Sequence, residues 1–250
     1  VKRRKAPPLY LARLLLVLTL LILLELAIRI GLINRFFVVL PSELIPQVLR
    51  DLVDREFLTL VGITFYETAA AFLFASVVGV GIGYLLWRSR RLGVAYEPLI
   101  AGLFASPIIL LYPIFLVIFG RTPLAIIAQG AIFGVLPVIL FTRQAFAGVS
   151  PTLLKVAASM NLSTRDRFRY ILLPAAAPTI FTGLRLGLTY ILIGVVAMEY
   201  IVQIGGLGKL VAETSLRLST DELYSGITLV VAISVLFIYL TQRVENAVRR

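Results

Sequence analysis

Not one cysteine or histidine occurs in the 250 residues. That excludes disulfides, thiol nucleophiles, zinc sites built on thiolate or imidazole, haem ligation through either group, and every Ser/His or Cys/His catalytic pair. Charge is scarce as well: 15% of residues are Asp, Glu, Lys or Arg against 60% hydrophobic, with a mean hydropathy of +0.99. A water-soluble globule of this length is not that apolar, so the solvent this chain expects is a bilayer. Acidic residues are the scarcer sign, 13 against 24 Lys and Arg, for a net charge of +11. Such an excess suits nucleic acid or, equally, the loops on one side of a membrane; its placement along the chain decides.

What is present in quantity is long apolar sequence. Hydrophobic runs of spanning length cover Leu11–Ile33, Leu58–Trp87, Pro98–Phe119, Pro123–Thr142, Pro178–Gln203 and Leu223–Thr241, predicting about six transmembrane helices in an all-α membrane protein. The first run follows Lys2, Arg3, Arg4 and Lys5 but is too long for a signal-peptide core and has no small-residue cleavage site, so it reads as a retained helix with a cytoplasmic amino end. That orientation puts sixteen Lys and Arg on the cytoplasmic side, including Arg88, Arg90, Arg91, Arg143, Lys155, Arg165, Arg167, Arg169, Arg243, Arg249 and Arg250. Six fall outside: Arg35, Arg50, Arg55, Arg121, Lys209 and Arg217. The bias explains the charge without nucleic acid and predicts two cytoplasmic termini.

Two stretches do not read as spans. Residues 34–57 carry mixed charge with Pro41 and Pro46, predicting a short amphipathic helix at the outer surface. The other, SPTLLKVAASMNLSTRDRFRYILLP over residues 150–174, predicts a helical hairpin. Ser150 is an N-cap with Pro151 in the first turn, and Leu153, Val156, Ala157 and Met160 form an apolar stripe. Asn161 suits the left-handed residue that ends the first helix, Ser163 and Asp166 cap a second, and Pro174 terminates it.

This loop resembles the EAA loop of binding-protein-dependent ATP-binding cassette importers: Glu-Ala-Ala, three residues, Gly, nine residues, Ile, two residues, Pro. The spacing from Asn161 to Ile171 and Pro174 fits, while Lys155 stands at the acidic position, Val156 at the first Ala and Asn161 at the Gly. The flanks LLPAAAPTIFTGLRLGL and LIGVVAMEYIVQIGGLGKLV, with LPSELIPQVL and GYLLWRSRRLGVAYEPLI, resemble nitrate, sulfonate and taurine importer permeases over about Leu40 to Arg250. The resemblance implies a type I importer permease fold and a homodimer in the bacterial inner membrane, carrying a small solute such as nitrate, a sulfonate or taurine. It implies two further partners, a cytoplasmic ATPase that receives the loop as a coupling helix and an extracytoplasmic substrate-binding protein. Leu153, Lys155, Val156, Ala157, Met160, Asn161 and Pro174 are the coupling residues it points to. Lys155 reverses the charge of the pattern and implies a dedicated ATPase with an acidic residue opposite. On this reading the chain is not itself an enzyme and carries no cofactor. The only Gly-Lys pair, Gly208 and Lys209, lacks the spacing of a P-loop. Residues 1–57 are then an amino-terminal tail, first span and outer segment, and residues 58–250 a core of five spans.

Ionisable groups inside spans need a partner or water. Glu25 and Arg29, one helical turn apart, pair with each other. Glu67, between Thr64 and Thr68, and Glu199, a turn before Gln203, have no such local partner and are candidates for a solute pathway or for hydrogen-bonded packing. Ser106-Pro107 and Tyr112-Pro113 interrupt the third span, which makes Phe104, Tyr112 and Gln129 further pathway candidates. Ala75, Gly79 and Gly83, and again Gly183 and Gly187, let helices approach closely, either within the chain or at a sliding subunit interface. GGLG at 205–208 predicts an outer turn into an amphipathic segment. Two other functions fit the same features: a channel or membrane scaffold, and a secondary transporter coupled to ions through Glu67 or Glu199.

Overall fold

The computed structural model describes the backbone of residues 9–248 and the side chains of 11–243. Of the basic residues placed by topology above, Lys2, Arg3, Arg4, Lys5, Arg249 and Arg250 lie outside the described residues. The chain is a bundle of helices, with no strand among the described residues. They are α1 (Leu9–Arg29), α2 (Pro41–Asp51), α3 (Arg55–Arg88), α4 (Arg90–Ala105), α5 (Tyr112–Phe119), α6 (Pro123–Ala147), α7 (Pro151–Ser159), α8 (Thr164–Arg167), α9 (Leu173–Val202), α10 (Gly206–Leu216) and α11 (Thr220–Val248). Five are long and apolar enough to cross a membrane as continuous rods, and a bent pair makes a sixth if it counts as one span.

The centre of the bundle is α6, held between α3 and α9. In its most apolar stretch 61% of the residues are buried, against 6% in α1, which lies at the edge and meets chiefly α2. Small residues make this packing possible. A Cβ on Gly79 would fall 2.7 Å from Val138 Cβ, and one on Gly187 would fall 3.0 Å from the Gly134 carbonyl oxygen. Lipid gives helices no hydrophobic drive to associate, so close van der Waals contact supplies it. Both glycine faces are therefore spent on packing α3 and α9 against α6 within the chain, and neither is left for a sliding subunit interface.

The structure sharpens one expectation and changes another. The third span is not one helix: α4 and the segment from Ile108 to Phe119 are bent by 92° across a short break. Pro107 has no N–H to give and forces Ser106 into an extended conformation (φ −80°, ψ 156°), which ends α4. Secondly, Pro174 does not terminate the second helix of the loop. The chain stays helical from Thr164 to Val202, 39 residues, because Phe168–Leu172 winds as a π-helix and leaves Pro174 in the first turn of α9. The wider turn accommodates the proline ring, and the Leu173 N–H donates to the Phe168 carbonyl.

Elsewhere the local readings hold. The Ser150 side chain accepts from the Thr152 N–H, Ser163 from the Asp166 N–H, and Asn161 is left-handed (φ 54°). Glu25 bonds Arg29 and also takes Ser42 Oγ at 2.7 Å, tying α1 to α2.

Candidate functional site

Two regions gather the residues singled out by sequence, one at each end of the bundle. On the side expected to be cytoplasmic, α7 and α8 form the hairpin. Its first helix has two faces. Leu154 packs on the cluster that holds Phe146 and Leu172, and Ala157 is buried, whereas Leu153, Val156 and Met160 are exposed, Met160 by 63%. Lys155 and Asn161 share the exposed side, and Pro174 is exposed on α9. Of the stripe expected from sequence, Ala157 thus anchors the hairpin, and the rest is free surface.

The anchor is aromatic. Tyr84 and Trp87 from α3, Phe146 from α6 and Phe168 from the π-turn stack or meet edge to face at 5.1 to 6.0 Å between ring centroids. Each such pair contributes about 0.5–1.5 kcal/mol beyond its buried area, so the end of the hairpin at Phe168 is fastened to both α3 and α6. Beside it an ion pair between Arg143 and Glu97 ties α6 to α4.

At the other end, Thr64, Glu67 and Thr68 on α3 and Glu199 on α9 are fully buried, and they meet the start of α10. Glu199 Oε1 accepts from Thr64 Oγ1 at 2.7 Å, and its Oε2 accepts from the Gly208 N–H at 2.8 Å. The Leu207 N–H donates in turn to Thr64 Oγ1 at 2.9 Å. The GGLG turn builds this geometry. Gly206 takes φ 79°, and a Cβ on Gly208 would lie 2.3 Å from the Val196 carbonyl oxygen, so only glycine lets α10 start against the side of α9. Free N–H groups at the first turn of α10 then meet a carboxylate, the favourable arrangement at a helix N-terminus. Gln203 closes α9 in the left-handed region, and Arg121 donates to the Val202 carbonyl at 2.6 Å, capping the same end from the loop before α6.

The sequence candidates therefore divide. Glu67 and Glu199 come together, the two carboxyls interacting directly beside Thr64, which lies one turn before Glu67 on α3 and donates to Glu199. Gln129 is buried apart from them in the contacts it makes, its amide donating to the Ile109 carbonyl at 3.2 Å and so satisfying backbone freed by the broken span. Phe104 packs edge to face on Tyr190, and Tyr112 packs against the core of α3, α6 and α9. Sequence reading missed the Thr64 and Gly208 contacts, the Arg121 cap and the aromatic anchor. The spacing of Thr64 one turn before Glu67 was the one available signal for the first.

Comparison with known proteins follows the same lines. A family model for "Binding-protein-dependent transport system inner membrane component" matches residues 57–250. Among curated relatives, the putative aliphatic sulfonates transport permease protein SsuC of Bacillus subtilis (strain 168) is 25% identical over 66% of this chain and 60% of its own length. The nitrate import permease protein NrtB of Synechocystis sp. (strain ATCC 27184 / PCC 6803 / Kazusa) is 32% identical over 57% of this chain and 51% of its own. The chain thus spans between half and two thirds of the length of these relatives. In fold it is similar to a chain of the inward-facing MetNI methionine ABC transporter, with a TM-score of 0.68 at 21% identity, covering 79% of this chain and 100% of that one. A second crystal form gives 0.65 at 22% identity over 75% and 94%. With the type I importer permease fold and a family match over residues 57–250, this multi-pass membrane protein belongs to the inner-membrane components of binding-protein-dependent transport systems.

Proposed function

We propose that the chain is the permease subunit of an ATP-driven importer and that two copies form the translocation pathway. ATP is hydrolysed by a separate cytoplasmic cassette ATPase, and an extracytoplasmic binding protein delivers the solute. Residues 58–250 are the working core, and residues 1–57 add the first span and the outer helix. Both termini are cytoplasmic. Nitrate or a sulfonate is the solute class that the names of the relatives support.

The observation that carries this reading is the hairpin: Leu153, Val156 and Met160 exposed beside Lys155, on a unit pinned by the aromatic cluster. An exposed apolar stripe rimmed by charge is what a groove on a partner receives. A well-fastened hairpin transmits a rigid-body push where a loose loop would absorb it. Glu67, Phe104, Tyr112, Gln129 and Glu199 belong to the gate, packed shut in this conformation and exposed to the pathway when α3, α6 and α9 part.

The test is a pull-down of the chain from gently solubilised membranes, with mass spectrometry and an ATPase assay of what accompanies it. A cassette ATPase recovered with the wild type and lost with Met160→Asp supports the proposal. A folded preparation that recovers no ATPase favours the channel or scaffold reading, and uptake that collapses with an uncoupler while ATP is maintained favours the ion-coupled one.

A further inference from the structure

The buried carboxyl pair has a hydrogen-bond deficit that the gate reading leaves unexplained. Glu199 is supplied: each of its oxygens accepts from a donor, Thr64 on one side and the Gly208 N–H on the other. Glu67 is not. It is fully buried, and neither of its oxygens receives a hydrogen bond from any donor. The buried polar groups of the surrounding elements are accounted for one by one. On α3, Thr64 already donates to Glu199, and Thr68 is buried with its hydroxyl unpartnered. On α10, the Leu207 and Gly208 N–H groups go to Thr64 and Glu199. On α6, the amide of Gln129 goes to the Ile109 carbonyl. No Lys or Arg is among the buried residues described, and none donates to Glu67. From α9 the group that reaches Glu67 is the Glu199 carboxyl itself.

An ionised carboxylate offers only acceptors, and two of them in an apolar interior repel without a bond between them. One proton turns the same contact into a strong O–H···O bond. We infer that Glu67 and Glu199 form a proton-binding site in which one proton, carried by Glu67 and donated to Glu199, bridges α3 to the α9–α10 turn. Glu199 then stays the acceptor for Thr64 and for the start of α10, and Glu67 positions it. The site works as a latch: the shared proton holds α9, and through Glu199 the start of α10, against α3, and its loss sets two like charges across the contact of α3 with α9. This inference stands on side-chain accounting and does not require the chain to be an importer.

The experiment is infrared spectroscopy of the full chain, purified in an ester-free detergent in buffers without sodium or potassium near neutral pH. Glu67 and Glu199 are the only buried carboxyls among the described residues, so a protonated-acid carbonyl band is assigned to them by its loss in a variant. The expected result is a band that shifts on deuteration and disappears in Glu67→Gln, while Glu67→Gln melts close to the wild type because its amide still donates to Glu199. Glu67→Ala, which cannot donate, is expected to lose the band and melt lower. No band in the wild type, with a melting temperature that rises as sodium or potassium is added, overturns the proton in favour of a bound metal cation. A band that survives Glu67→Gln overturns the assignment. An importer that fails its ATPase pull-down and keeps this band leaves the proton site standing.

Discussion

Thr64 does more at its position than its size suggests: it gives a hydrogen bond to Glu199 and takes one from the Leu207 N–H. Thr64→Val keeps the shape and removes both, leaving a buried N–H and a carboxylate oxygen short of a partner. Loss of about 1–3 kcal/mol is expected, read as a lower melting temperature by the fluorescence of Trp87, the single tryptophan. The glycines of α3 offer a paired test. Gly79→Leu meets Val138 and is expected to cost at least about 1–3 kcal/mol, while Gly81→Leu, with nothing within 4 Å of its Cβ, leaves the melt nearly unchanged. From sequence Gly79 belongs to the four-residue repeat and Gly81 does not, but such a repeat says that helices approach closely and not which partner they approach. Glu67 and Glu199 were legible as anomalies for the same reason that they are costly. Their meeting across 132 positions was not, since nothing local encodes it.

At the scale of elements, the hairpin was the most legible part of the chain because its signals are local: caps at Ser150 and Ser163 and a left-handed residue at Asn161. The exit from it was misread. A proline normally ends a helix, and only the π-turn at Phe168–Leu172, which no residue pattern announces, carries the helix through. The third span shows the converse, since Pro107 broke it as its chemistry predicts, while the size of the bend, 92°, with both arms meeting α6, is a tertiary feature that no local signal encodes. The element test belongs at α7. Lys155 is exposed and touches nothing that the fold needs, so Lys155→Glu is expected to leave the melt unchanged and weaken stimulation of the partner ATPase severalfold. Unchanged coupling would remove the charge contact from the proposal.

For the whole molecule, the periodicity-free hydrophobic runs and the charge bias were enough to place the chain in a membrane and to count about six spans, which the structure divides into five rods and a bent pair. Which helix is central was not visible in them, because α1 and α6 are both apolar throughout and only tertiary contact separates the edge from the core. A chain beginning at Asn34 tests that difference. As α1 is held chiefly through α2, with Glu25 on Ser42, removing it is expected to move the melting temperature of the core by only a few degrees. A collapse of the fold would show that α1 is integral to it.

The unbroken helix from Thr164 to Val202 runs about 58 Å at 1.5 Å per residue. It begins within the hairpin, as α8, and ends three residues after Glu199, with no loop between them to absorb a displacement. Its two ends are therefore thermodynamically linked. On the proposed function, any solute, delivery protein or proton that biases the position of α9 at Glu199 changes the affinity of the hairpin for its ATPase by some factor. By reciprocity, the partner changes the outer affinity by that same factor.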